Sequence, residues 1–356
     1  MKLLRLLLLP FSLIYAIVII LRNLAYDTGA FRSRKFNIPV ISIGNLAVGG
    51  SGKSPMAEYL IRILKDNYAV ATLSRGYGRK TSGYLELDEG SSVSDGGDEP
   101  VQFKRKFPGI TVAVCEKRAT GIEHLQKFND VIILDDAFQH RSVQPGLSLL
   151  LFDYNGLFNP QYLLPAGNLR EPFSGRKRAD IIIITKTPAG ISAAERDEAI
   201  RQIASYPGQE LFFSYLEYGD LEAFNKSDTL PLSAITEDTE IILLTGIANT
   251  APLINKLKSY TNRIIHHNYR DHHNFSKKNI AKLAAAWSAS GAKRKYIIST
   301  EKDAQRLHSP ELNKLLKDLP VYYLPVVAKI HKPGEDRFNQ TIKQYVAKHL
   351  QNNRIH

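Results

Sequence analysis

The sequence predicts an α/β protein: a doubly wound, mostly parallel sheet in an α/β/α sandwich, a second and smaller α/β domain, and an apolar helix ahead of both. Three observations predict it. Short runs that are apolar at nearly every position alternate with longer mixed segments, as strands buried on both faces alternate with helices. A glycine-rich turn ending in Gly52-Lys53-Ser54 separates the first such run from the first helical segment. The chain has 356 residues, 44% hydrophobic and 23% charged, enough for two domains with a core each.

The chain opens with MKLLRLLLLPFSLIYAIVIILRN, apolar from Leu6 to Leu21 between Arg5 and Arg22. That run is shorter than the ~20 residues that span a bilayer. These residues leave three readings open. Lys2, Arg5 and the apolar core suit a signal peptide, although Arg22 follows Leu21 where a small-residue cleavage site would stand. A buried core helix is the second. The third is an uncleaved helix in or on the membrane, its arginines against lipid phosphates. Pro10 marks its entry or a bend.

Strands are expected at Ile38–Gly44, Ala69–Ser74, Ile110–Val114, Val131–Asp135, Leu147–Asp153 and Asp180–Thr185, with helices such as Pro55–Asn67 and Lys117–Lys127 between them. A second series, Glu240–Gly246, Asn262–His267 and Lys295–Asp303 with a helix at Ile280–Ser290, forms the smaller domain. Leu211–Tyr218 and Val321–Val326 bracket it and are expected to pair as a two-stranded connector. A last helix near Arg337–Leu350 then returns to the first domain. The expected organisation is residues 1–28 for the leading helix and 29–210 for the first domain. Residues 211–220 with 321–327 form the connector, 221–320 the smaller domain, and 328–356 the last helix.

The formal charge of +12 calls for an anionic partner: lipid, phosphorylated small molecule or nucleic acid. No long block of like charge and no nucleic-acid module is present, so nucleic acid is not the expected partner. A single cysteine, Cys115, excludes an internal disulfide framework and a cysteine-built metal site.

Four stretches carry chemistry. NLAVGGSGKSP follows a strand and opens a helix, the setting of a phosphate cradle. Gly49, Gly50, Ser51 and Gly52 let the backbone approach phosphate. Lys53 would reach the β/γ-phosphates, and Ser54 would offer Mg²⁺ a hydroxyl. Ala47 stands where the first glycine of G-x-x-x-x-G-K-[ST] is usual, so an ordinary tight turn is the alternative. VIILDDAFQH ends a strand in Asp135 and Asp136, suited to a metal ion beside a nucleotide; a strand-end acid alone is often only a cap. SDGGDEP reads as a loop in which Asp98 or Glu99 is either solvated or a general base. In YRDHHNF an acid–histidine proton pair is more plausible than zinc, because no convergent further ligands stand nearby. Arginines in loops after strands, Arg75, Arg79, Arg118 and Arg170, are placed to neutralise phosphate where open α/β sheets bind ligands.

In this order GNLAVGGSGKSP, LSRGYGR, GDEP, EKR, LDDAFQH, LLPAGNLREP, ITKT, DHHNF and STEKDA resemble the motif series of the tetraacyldisaccharide 4′-kinases, the lipid A kinases of Gram-negative bacteria. The resemblance runs from the first helix to about Asp303. It implies a P-loop NTPase-like fold with two α/β/α domains, and a helix at the cytoplasmic face of the inner membrane. It implies transfer of the ATP γ-phosphoryl group to the 4′-hydroxyl of a lipid A disaccharide precursor, with Mg²⁺. Carried over by motif, Lys53 and Ser54 hold phosphate and metal, Asp135 and Asp136 support the metal, and Glu171 assists there. Arg75, Arg118 and Arg170 neutralise phosphate, and Asp98 is the general base paired with His272. Ser54 departs from a commoner Thr, and Ala137 from a usual Gly, where a methyl would crowd a tight backbone. The competing functions are a nucleotide-regulated membrane switch and a soluble kinase of a small metabolite.

Overall fold

The structure, a computed structural model, describes residues 5–225 and 228–354. The first four residues of the predicted leader, Lys2 among them, and the last two of the predicted C-terminal segment lie outside the described residues.

In chain order the elements of the first part are α1 (Leu9–Asp27), β1 (Val40–Asn45), α2 (Lys53–Leu64), β2 (Val70–Ser74), β3 (Leu85–Leu87), α3 (Val93–Gly96), α4 (Asp98–Lys106), β4 (Thr111–Val114), α5 (Arg118–Leu125), β5 (Val131–Leu134), β6 (Leu147–Asp153), α6 (Tyr154–Leu157), β7 (Ile181–Thr185), α7 (Ala193–Ile203) and β8 (Glu210–Tyr218). The second part adds β9 (Leu221–Ala223), β10 (Thr229–Leu230), β11 (Glu240–Thr245), α8 (Ala251–Lys258), β12 (Ile264–Asn268), α9 (Lys277–Ala289), β13 (Lys295–Thr300), α10 (Glu301–Leu307), α11 (Pro310–Leu316) and β14 (Val321–Leu324). The chain closes with β15 (Val326–Ile330) and α12 (Gly334–Arg354).

The strands form a nine-stranded sheet, β15-β8-β7-β6-β1-β5-β2-β4-β3, and a six-stranded sheet, β10-β9-β14-β13-β11-β12. From β8 to β4 the large sheet is parallel, with antiparallel strands only at its edges. β1 lies at its centre between β5 and β6, and β5, β6 and β7 are buried almost throughout. This explains why they read as unbroken apolar runs. One face packs Ile41, Ile43 and Leu149 against Leu60 of α2, Phe103 of α4, and Phe338 and Ile342 of α12. Burial of each such side chain contributes ~1.5–3 kcal/mol.

Three expectations need correction. Leu211–Tyr218 pairs not with Val321–Val326 but with Val326–Ile330, through Val326↔Tyr218 to Ile330↔Ser214. Val321–Leu324 belongs to the small sheet, beside β13 and β9. The chain changes sheets at Pro325, which has no N–H for a ladder and so divides one apolar run into two strands. Lys295–Asp303 is a strand only to Thr300. There Thr300 accepts from the Asp303 amide and caps α10, so Glu301 and Asp303 occupy its first turn. Ser94–Pro100 is helical on both sides of Gly97, and Asp98 opens α4.

α1 has two faces. Ser12 and Ile19 are buried, whereas Leu13, Ile14, Ile17, Val18 and Leu21 are each at least half exposed. The inner face is held by polar contacts. Ser12 Oγ donates to Leu163 O (3.0 Å), Tyr15 OH to Arg170 O (2.8 Å) and Arg141 Nη1 to Asn23 O (2.8 Å). α1 is the one described helix long and apolar enough to cross a membrane, with mean hydropathy 1.7 over its most apolar window.

Candidate active site

Residues 46–52 link β1 to α2 across the carboxyl end of the large sheet, where open α/β folds bind ligands. Gly49 (φ +106°) and Gly52 (φ +82°) adopt the left-handed backbone that turns the loop over the helix N-terminus. Ala47 needs no such freedom. It pairs in an antiparallel bridge with Leu169, and Val48 N–H donates to Asn168 O at 2.8 Å. The departure from the usual motif thus falls in an extended stretch braced by the segment that carries Arg170. From the other side Thr185 Oγ1 donates to Ser51 O (2.7 Å), and Lys186 Nζ donates to Gly50 O while pairing with Asp153 (3.0 Å). Ser51 Oγ is buried and has no partner. Ser54 follows Lys53 in the first turn of α2.

Lys53 Nζ lies 3.3 Å from Asn45 Oδ1 and 3.5 Å from Asp136 Oδ1. The cradle and the strand-end acids therefore form one site. Asp136 carries the left-handed conformation of this turn (φ +48°), and Arg170 Nη1 reaches both its oxygens at 3.1 Å. Burial pushes the Asp136 carboxyl up, but Lys53 and Arg170 more than offset this and hold it below its ordinary value. Asp135 is buried with Oδ1 unpartnered, and burial, then the charge of Asp136, pushes it up to about 7. Ala137 fits without crowding: its N–H donates to Ile43 O (3.1 Å), and the close approach is made by Phe138 over Gly44.

Arg118 is buried, donates to Cys115 O at 2.7 Å and leaves Nε unpartnered; burial brings its guanidinium down to about 10. Asp135 and Asp136 attract it, while Arg75, an exposed residue, repels it across the site. Arg79 is occupied elsewhere, on Glu116 and Gly83 O. Glu171 is not a free third carboxylate. It is fully buried, and its oxygens accept from Arg178 (2.8 Å), Gln139 (2.8 Å) and Asn23 of α1 (3.3 Å). Its charge ties α1 to the turn after β5, and in this structure both of its oxygens are taken up by those donors. Among the described residues no three acidic, histidine or cysteine side chains converge as a metal cluster. The pair Asp135–Asp136, with a buried orphan oxygen within electrostatic reach of Lys53, fits Mg²⁺, which takes few carboxylates and the substrate's phosphates.

Asp98, at the start of α4, meets His272, in the loop after β12 of the six-stranded sheet, His272 Nδ1 lying 2.8 Å from Asp98 Oδ2. His273 instead bonds Asn279 (3.1 Å) and stacks on Tyr269, so the two histidines separate as their differing directions suggest. His272 holds a left-handed backbone (φ +56°), a conformation that costs a non-glycine residue ~1–3 kcal/mol and clusters at functional sites. Glu99 raises Asp135, which puts the start of α4 within electrostatic reach of the strand-end acids.

Sequence reasoning missed Arg306, whose Nε and Nη2 donate to Asp98 Oδ1 (3.0 Å) and Oδ2 (2.5 Å). It also missed Lys302, which pairs with Glu99 at 2.7 Å. The usable signal was the Thr300 cap, which turns EKDAQR into a helix at a strand's carboxyl end.

Gly97 positions Asp98. Its φ of +88° and ψ of 168° suit glycine alone, and an added Cβ would stand 2.7 Å from Tyr77 O. Gly97→Ala is expected to lower unfolding stability by about 2–4 kcal/mol, combining backbone strain with overpacking. Denaturant unfolding checks this, and a change under ~0.5 kcal/mol would show that the turn relaxes.

The family model described as tetraacyldisaccharide-1-P 4′-kinase matches residues 4–347. A tetraacyldisaccharide 4′-kinase of Bacteroides thetaiotaomicron is 45% identical over 357 residues, covering 96% of this chain and 93% of the relative. One from Flavobacterium johnsoniae is 40% identical, covering 99% and 100%. The crystal structure of LpxK from Aquifex aeolicus in complex with ATP matches with a TM-score of 0.75 and 29% identity, over 96% of this chain and 99% of that one.

Proposed function

The chain belongs to the tetraacyldisaccharide-1-P 4′-kinase family, and from that premise we propose how its site transfers the γ-phosphoryl group of ATP to the 4′-hydroxyl of a tetraacyldisaccharide 1-phosphate in lipid A biosynthesis. Such a transfer needs positioning and charge stabilisation more than covalent chemistry. The loop amides of residues 49–54 and Lys53 bind the phosphates, and Arg118, Arg170 and Arg75 neutralise charge as it develops. Ser54, Asp135 and Asp136 are the residues that would hold Mg²⁺, which when bound supplies charge neutralisation at the phosphate oxygens. Asp98 and His272 take the proton of the attacking hydroxyl.

The observation that carries a kinase over a nucleotide switch is the Asp98–His272 pair. A switch has no acceptor hydroxyl to deprotonate, and this pair sets a buried carboxylate against a part-exposed imidazole from the far half of the chain. The half-exposed apolar face of α1 supports anchoring at the inner-membrane surface on the cytoplasmic side, where the acyl chains of the acceptor remain in lipid.

The test is transfer of labelled phosphate from ATP–Mg²⁺ to a tetraacyldisaccharide 1-phosphate in detergent micelles. Label in the lipid is the expected result. ATP hydrolysis with unlabelled lipid would favour the switch, and equal labelling of a deacylated acceptor would favour a soluble metabolite kinase.

A further inference from the structure

Three charged side chains from three helices meet at Glu58 of α2, Lys106 of α4 and Glu301 of α10. Glu58 is 1% exposed and Glu301 9%. Lys106 Nζ lies 2.6 Å from Glu301 Oε1 and 2.8 Å from Glu58 Oε2. The first contact is an aligned hydrogen bond. The second is a charge contact, since Glu58 Oε2 accepts from no aligned donor. Gln102, one turn before Lys106, donates to Glu58 Oε1 (2.8 Å), and Arg62 approaches Glu58 Oε2 at 3.5 Å. Carboxylates buried this deeply are costly unless their charge is balanced.

The cluster sits where the two sheets join. The chain passes between them after β8 and again before β15, and Gly219 N–H donates to Pro325 O (3.1 Å), holding the two crossings side by side. Val326, the first residue of β15, donates its backbone N–H to Glu301. Glu301 opens α10 directly after β13 of the six-stranded sheet, whereas α2 and α4 pack on the nine-stranded sheet through Leu60 and Phe103. α2 carries Lys53 and Ser54 in its first turn and Glu58 in its second. The phosphate cradle and the six-stranded sheet therefore share one fastening beside the crossings.

We propose that Glu58, Lys106 and Glu301 are a proton-operated latch that fastens the six-stranded sheet to the phosphate-loop helix. With a proton on Glu301, Lys106 balances Glu58 alone. Loss of that proton sets two like charges against each other across a single shared lysine, and moving α10 away from α2 relieves the repulsion. Burial, then the charge of Glu58, pushes the Glu301 carboxyl up to about 7, against the pull of Lys106. Burial pulls the Lys106 ammonium down, but Glu58 and Glu301 outweigh this and hold it above its ordinary value, so the cation stays charged. A carboxyl raised in the latched state and ordinary in the open one favours latching at low pH. That advantage is complete below the ordinary carboxylate range and is lost as pH rises through about 7. Tyr323 of β14 also faces Glu301; burial keeps it protonated, and its hydroxyl donates to Glu222 of β9. Arg105, beside Lys106 on α4, is engaged with Gln305 (2.9 Å). The latch stands independently of the kinase reading, because its test involves no acceptor lipid.

The test is energy transfer between two fluorophores on the full chain in detergent micelles. One is attached at Phe128→Cys, just after α5, where the native side chain is 83% exposed. The other is attached at Leu315→Cys, on α11, where it is 46% exposed; Cys115 is buried and stays unlabelled. With the native latch, raising the pH should lengthen the separation and raise the open-to-latched ratio at least ~10-fold. The change should fall between the ordinary glutamate pKa of ~4.3 and about 7. Glu301→Gln, which copies the protonated form, should keep the short separation throughout. Glu58→Gln removes the like charge and should move the upper end of the change to lower pH. Lys106→Met removes the cation and should move it to higher pH. A separation that does not respond to pH with the native latch would overturn the proposal. So would a Glu301→Gln chain that keeps the native response, or a Glu58→Gln chain that shifts it upward or leaves it unmoved. If Lys106→Met does not fold, the two glutamine variants decide the matter.

Discussion

Lys53→Met is expected to reduce phosphoryl transfer at least ~10³-fold while leaving the fold intact, a loss at the lower end of that for removing a dedicated cationic group from a phosphoryl transition state. The reason is local. Lys53 Nζ stands 3.3 Å from Asn45 Oδ1 and 3.5 Å from Asp136 Oδ1, at the mouth of a loop whose backbone already turns toward an anion. Among the described residues no other lysine or arginine contacts Asn45 and Asp136 together, so no described neighbour takes over the position. Methionine keeps the unbranched stem and a good helix propensity, so the start of α2 should persist. The wild-type and variant proteins should unfold within ~1 kcal/mol of each other in nucleotide-free buffer, since the ion pair lost is partly solvated. Single-turnover transfer and denaturant unfolding measured side by side separate the two effects. A loss below ~10-fold would mean that Arg118 and Arg170 hold the phosphates without Lys53, and that the glycine-rich loop is mainly a turn.

The large sheet was legible because its physics is local. VIIL and IIIIT are buried on both faces and cannot be mistaken for half-solvated strands. The phosphate loop was legible despite Ala47, because strand, glycines and helix stand in sequence and the brace from Leu169 is needed only to explain why alanine is tolerated. The Asp98–His272 partnership came from motif resemblance. No local pattern joins residues 174 positions apart.

What was missed is non-local. An arginine on a short helix reads as a solvated charge until Arg306 is found 208 residues from the carboxylate it grips. The metal role of Glu171 was carried over by motif resemblance. Arg178, Gln139 and Asn23 all claim it in the fold. The pairing of Leu211–Tyr218 failed for a simpler reason. Both halves of VYYLPVVAKI are apolar enough to be its partner, and only Pro325 marks the place where the chain leaves one sheet for the other.

Asp135→Asn is expected to abolish transfer, by ~10³-fold or more, while making the nucleotide-free protein more stable. The two halves follow from one arrangement. Asp135 is buried beside Asp136, and its Oδ1 has no hydrogen-bond partner. A buried, unpaired acceptor next to a like charge is costly, ~1–3 kcal/mol for the missing hydrogen bond alone. Evolution keeps such a group where a ligand satisfies it. The amide removes the negative charge, so repulsion from Asp136 disappears and the unfolding temperature should rise by about 2 °C or more in the absence of nucleotide and metal. The same change removes an anionic oxygen from the pair that would hold Mg²⁺, and with it several kcal/mol of transition-state stabilisation. Calorimetric unfolding with and without ATP–Mg²⁺ reads both effects: the wild type should gain stability from the ligand, and the variant should start higher and gain little. If Asp135→Asn instead lowers both stability and activity, the carboxylate is a structural strand cap, and Asp136 alone, held by Lys53 and Arg170, must serve the metal.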